Sequence, residues 1–104
     1  MTSEKVNQLQ LTQQNLQSVV AQKQQLESQV TELDSALKEI TTARESFKII
    51  GKIMVSTSKD LLKKELEQKR EIISIRLKNF TRQEELLIKN IEELQQEVMR
   101  DAPK

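Results

Sequence analysis

SFKIIGKIMVSTS, from Ser46 to Ser58, sets β-branched and aromatic residues around the only glycine of a 104-residue chain. Sequence rich in Gln, Glu and Lys surrounds it on both sides. Strand alternation places Phe47, Ile49, Ile53 and Val55 in one set. Lys48, Ile50, Lys52 and Met54 fall in the other, with Gly51 where a tight turn needs freedom in φ. The pattern predicts two short strands joined as a hairpin. Beyond it, Thr57 and Asp60 make a capping pair for a following helix, with the Ser58 hydroxyl as a competing cap.

Outward from the hairpin, apolar residues recur in alternating steps of three and four, the signature of a coiled-coil seam. The first arm carries Leu9, Thr12, Leu16, Val19, Lys23, Leu26, Val30, Leu33, Leu37 and Ile40. The second carries Leu66, Arg70, Ile73, Leu77, Phe80, Glu84, Leu87, Ile91, Leu94 and Val98. The first helix is expected to end between Thr42 and Glu45, since its seam stops at Ile40. The predicted class is mainly α, a long antiparallel two-helix coiled coil with a short β-hairpin between the helices. One domain over 1–104 is expected, with helix 1 over 1–45, the hairpin over 46–57, helix 2 over 58–101 and a tail at 102–104.

Two registers satisfy both seams. One sets Leu16 against Leu87 and Leu26 against Leu77; the other sets Leu16 against Leu94 and Leu26 against Glu84. In either, Lys23 and Glu84 fall in adjacent layers. One reading has these charges meet and fix the register; the other has both side chains snorkel to water.

Composition narrows the function. With 36% hydrophobic, 2% aromatic and 32% charged residues, the chain suits helices that each bury a narrow stripe better than a globular core. It has no cysteine or histidine, so thiolate metal sites, disulfides and the commonest general base are missing, and no enzyme, metal site or cofactor site is expected. The net charge of +1 lacks the footprint of a nucleic-acid binder. No apolar run approaches the ~20 residues of a membrane span, and Met1–Leu11 lacks the apolar block of a secretory signal, so a soluble cytoplasmic protein is expected. Asn79-Phe80-Thr81 matches a glycosylation sequon by chance, with Phe80 in the seam.

A lone hairpin with apolar residues in both sets is marginal in water and carries unpaired backbone edges. It calls for other chains, against the alternative of folding down on its own helices. The chain ends then lie together at the far tip. There Val6, Leu11 and Met99 fall off the seam, and fraying exposes Leu9, Leu16, Leu94 and Val98. Such a surface suits weak capture of non-native chains; ordinary fraying residues are the plainer reading.

In this layout the chain resembles the β class of prefoldin subunits, ATP-independent chaperones. QQNLQSVVAQKQQLESQV looks like the family's glutamine-rich first arm, ALKEI like its inner end, FKIIGKIMVSTSKD like its hairpin and following cap, and IRLKNFTRQEELL like its second arm. A single hairpin resembles the β class, since α-class subunits carry a second. The resemblance implies a hexamer of two α and four β subunits, with the hairpins assembled into an intersubunit β-barrel. It also implies distal tips that hold unfolded polypeptide and pass it to a group II chaperonin. The platform would map to Phe47, Ile49, Ile50, Gly51, Ile53, Met54 and Val55, and client contact to Val6, Leu9, Leu11, Leu16, Leu94, Val98 and Met99. The sequence departs from the pattern in having no aromatic residue at the tip. A structural coiled-coil scaffold with one defined partner is the alternative.

Overall fold

The computed structural model describes residues 2–101, so the expected tail at 102–104 lies outside the described residues. The element order is α1 (Thr2–Thr42), β1 (Ser46–Ile50), β2 (Ile53–Thr57) and α2 (Lys59–Asp101). The chain divides into two compact units. In the terminal unit, α1 as far as Gln25 packs against α2 from Leu77 onward; the hairpin unit is Leu26–Arg76.

Each helix exists because its seam has something to cover. All ten seam positions of α1 are buried or half-buried, and so are nine of the ten on α2, the exception being Arg70. Leu26 and Ile40 are the most deeply buried apolar residues of the hairpin unit, and Ile91 of the terminal unit. Thr12 fits the seam because its hydroxyl donates to the Gln8 carbonyl at 2.7 Å, which leaves its methyl group for packing. Arg70 leaves the seam for the surface, where it binds the Asp34 carboxylate.

Ion pairs define the register in each unit separately. In the hairpin unit Arg70 meets Asp34, beside Leu33; the register that puts Leu26 against Glu84 would instead place Arg70 opposite Ile40, about 9 Å further along α1. In the terminal unit Lys5 reaches both Glu97 and Asp101, which flank Val98, its opposite number when Leu16 faces Leu87. Both units therefore follow the Leu16–Leu87 pairing.

Between the helices, β1 and β2 pair antiparallel from Ser46↔Thr57 to Ile50↔Ile53. Only Gly51 and Lys52 remain for the turn. Gly51 has φ +60, and no other described residue has positive φ, the signature of a type II′ turn. α1 stops at Thr42, at the near end of the range expected from the seam. The Thr41 and Thr42 hydroxyls donate to the Lys38 and Glu39 carbonyls at 2.7 and 3.3 Å, a local alternative to further helix once the seam has ended.

One expectation is decided and another corrected. Of the two caps read from the sequence, α2 uses Ser58, whose Oγ accepts the Leu61 N–H at 3.1 Å. Thr57 belongs to the sheet, where its carbonyl accepts the buried Ser46 hydroxyl at 2.8 Å. The hairpin faces also differ from the alternation counted straight through the turn. A two-residue turn pairs odd positions with even ones, so Lys48, Ile50, Ile53 and Val55 share one face, and Phe47, Ile49 and Met54 the other.

A Cβ at Gly51 would meet no atom within 4 Å, so space is not the constraint there; backbone angle is. Gly51→Ala is expected to destabilise the hairpin by about 1–2 kcal/mol, and Gly51→Asn by less, because Asn tolerates left-handed backbone better. The urea midpoint of the two variants measures this, and equal midpoints for Ala, Asn and Gly would contradict it.

Candidate functional site

Two surfaces present apolar side chains that the chain leaves in water. In the hairpin unit, Phe47, Ile49, Ile50, Ile53, Met54 and Val55 are all exposed, Ile49 most of all at 71%. With the corrected faces, both sides of the sheet remain apolar. Lys48 orients one of them, since its Nζ donates to both carboxylate oxygens of Glu65 on α2, at 2.8 and 3.1 Å. That side forms a groove with the start of α2, lined by Ile50, Val55 and Leu61. Leu61 was not singled out from the sequence; the available signal was an apolar residue off the seam within one turn of the hairpin.

In the terminal unit, Leu9, Leu16, Leu94 and Val98 are half-buried in the seam, and Val6 is half-buried beside it. Leu11 and Met99 are exposed, at 59% and 78%. The seven candidate residues thus share one unit, with only two fully presented to solvent. Leu86 and Ile88, also exposed there, escaped the sequence reading for the same reason as Leu61. Lys23 and Glu84 meet in this unit, with Nζ 3.4 Å from Oε2 and both side chains 23% exposed. The sequon threonine, Thr81, donates its hydroxyl to the Leu77 carbonyl at 2.9 Å within α2.

Electrostatics brace the ends of the terminal unit. Lys5 Nζ donates to Asp101 Oδ2 at 2.5 Å and lies 3.9 Å from Glu97. The bond to Asp101, aided by both carboxylate charges, raises the Lys5 pKa above its usual value, and the same bond and the Lys5 charge lower that of Asp101. Among the described residues no group of three or more His, Cys, Asp or Glu side chains is placed to hold a metal, and no helix is long and apolar enough to cross a membrane.

A depressed carboxylate stabilises the fold above the ordinary Asp range and loses that contribution as pH falls through its lowered value. A raised lysine acts below the ordinary Lys range and loses its contribution as pH rises through its raised value. Amide protection in the first turns of α1, around Val6–Leu9, is therefore expected to be flat across neutral pH and to fall at both extremes, and to weaken with salt. Hydrogen exchange measures it. Asp101→Asn should lower the neutral plateau and abolish the acid limb; an unchanged profile would remove the latch.

Comparison with known proteins places this geometry. The family model described as Prefoldin subunit matches residues 3–102. Prefoldin subunit beta of Archaeoglobus fulgidus is 38% identical over 96 residues, covering 89% of this chain and 83% of the relative. That of Pyrobaculum neutrophilum is 33% identical over 102 residues, covering 95% and 81%. The crystal structure of the prefoldin beta subunit from Thermococcus strain KS-1 matches with a TM-score of 0.90 at 34% identity, over 98% of this chain and 94% of that one.

Proposed function

The chain belongs to the prefoldin subunit family, and we propose that it is a β-class subunit of an ATP-independent holdase that keeps non-native polypeptides from aggregating. The family implies assembly with other prefoldin subunits. One observation supports the assembly element most directly: a two-stranded sheet with exposed isoleucine, phenylalanine, methionine and valine on both faces. At roughly 25 cal/mol per Å² of apolar surface, leaving six such side chains in water forgoes several kcal/mol that sister chains can recover. Phe47, Ile49, Ile50, Ile53, Met54 and Val55 dock against sister hairpins, with Gly51 setting the turn, to build a β-barrel platform in a hexamer of two α and four β subunits.

Client binding falls to Val6, Leu9, Leu11, Leu16, Leu94, Val98 and Met99, and the held chain passes to a group II chaperonin in the cytoplasm. Exposed Leu11 and Met99 give the first contact, and seam residues join as the helix ends fray. Weak apolar contact among Gln, Glu and Lys lets a client leave again. Lys23 and Glu84 hold the helices in register against slips that would part them, while Arg70 with Asp34 and Lys5 with Asp101 choose between the two seam pairings.

The decisive assay is light scattering from a denatured test protein diluted into the complex of this chain with an α-class partner. The complex is expected to suppress scattering, and Leu11→Ser combined with Met99→Ser to weaken suppression severalfold while leaving assembly intact. Unchanged aggregation with the intact complex would refute the holdase reading in favour of a scaffold. For the register pair, a double-mutant cycle with Lys23→Leu and Glu84→Leu should give a coupling of about 0.5–1 kcal/mol; coupling near zero means two independent snorkelling side chains.

A further inference from the structure

One edge of the terminal unit is built unlike the rest of the surface. Two shallow grooves share Asn90 and run together as a single trough between α1 and α2. Its floor is seam residues, Val19 and Leu87 in one groove and Leu94 in the other. Its walls carry Leu11 and Leu86, exposed at 59% and 62% although neither lies on the seam. From Gln8 to Val19 the trough follows about 16 Å of α1, the length of roughly five extended residues.

The rim is what identifies an occupant. Positions flanking a coiled-coil seam ordinarily carry Glu and Lys that pair across the helices. In a chain with 32% charged residues, the flanking positions on this side, Gln8, Leu11, Asn15 and Ser18 on α1 and Asn79, Gln83, Leu86 and Asn90 on α2, carry no charge. Asn15, Gln83 and Asn90 stand there instead, exposed to solvent. A carboxamide offers a donor and an acceptor together, the complement of the N–H and C=O of an unpaired peptide backbone. A charged ligand would lose water over Val19 and Leu87 with no counter-charge to replace it. A helix from a second copy has its backbone groups already bonded and offers the carboxamides nothing. At one end of the trough Glu93 and Glu97 add negative charge, suited to a basic residue flanking an apolar run.

We propose that this trough binds an extended, uncharged apolar segment of a non-native polypeptide, with its side chains on Leu11 and Leu86 and its peptide groups on Asn15, Gln83 and Asn90. The proposal rests on the chaperone reading above. It adds to that reading a contact made through the client's backbone, independent of client sequence, and a wall residue, Leu86, outside the terminal apolar set.

The test uses the complex with the α-class partner and a short fluorescein-labelled peptide of alternating Leu and Ser, followed by anisotropy. A second peptide is identical but N-methylated at alternate amides. Leu86→Gln is expected to weaken binding of the first peptide about fivefold. Methylation should weaken binding to the unmodified complex by a similar factor, and Asn15→Ala with Asn90→Ala should erase the difference between the peptides. Helical circular dichroism and sedimentation confirm that the variants fold and assemble, which the exposure of Leu86 favours. If aggregation is suppressed but Leu86→Gln binds peptide as well as wild type, the trough is refuted and the holdase stands. If methylated and plain peptides bind alike, backbone recognition is refuted. If Leu86→Gln changes the sedimentation of the complex, the trough is a subunit interface and the proposal falls. If the intact complex neither suppresses aggregation nor binds peptide, both readings fall together.

Discussion

A two-stranded sheet cannot satisfy itself, and this chain has no third strand among its described residues to help it. Pairing β1 with β2 uses one edge of each strand and leaves the other edge with unpaired N–H and C=O groups. Side chains compound the demand, because apolar residues stand on both faces while a single ion pair, Lys48 to Glu65, links one face to α2. A polar linker would join two helices without such exposure. Polar helices that bury only a stripe and a hairpin that buries almost nothing therefore fit one design, the proposed assembly in which the missing core lies between chains.

The helices meet a different constraint. A two-helix seam hides one narrow stripe of each helix, so single polar residues within it matter more than they would in a thick core. The four polar seam positions have found three different solutions. Thr12 bonds back to its own helix, Arg70 abandons the stripe for Asp34, and Lys23 reaches across to Glu84. Each keeps its polar group hydrated or partnered without breaking the apolar ladder beside it. Arg70 with Asp34, and Lys5 with Glu97 and Asp101, fit only one of the two pairings and so distinguish registers that the leucines alone leave nearly equal.

Much of this was legible in the sequence, for physical reasons that also mark where legibility ended. Helix periodicity is set by burial along many residues, so the seams could be followed from Leu9 to Ile40 and from Leu66 to Val98. Turn chemistry is local, and a lone glycine among β-branched residues marked the hairpin. The strand faces were misjudged because alternation was carried through Gly51 and Lys52 as though the turn preserved parity. The cap stayed open between Thr57 and Ser58 because the role of Thr57 in the sheet depends on Ser46, eleven residues away in sequence. The register stayed open because both alternatives bury similar side chains, and surface partners such as Asp34 lie outside the repeating pattern. Leu61 and Leu86 were passed over because a seam count discards whatever lies off it, and a binding surface on a coiled coil has to be built from those discarded positions.

If the terminal unit holds non-native chains as proposed, it holds them weakly. Exposed residues in the terminal unit are few, and a leucine only partly covered contributes about 1 kcal/mol or less beyond what it already buries. Two such contacts with a few peptide hydrogen bonds reach the millimolar range at best, since roughly 4 kcal/mol is needed for that affinity alone. One subunit is then a poor chaperone. Several joined through their hairpins present the same weak surface repeatedly to one long chain, and each added contact forms at an effective concentration near millimolar. The product is firm retention built from contacts that individually let go, so that a client can leave segment by segment as it folds. On this argument the exposed hairpin and the sparse terminal leucines depend on one another: the surface can remain weak and soluble because the hairpin gathers copies of it.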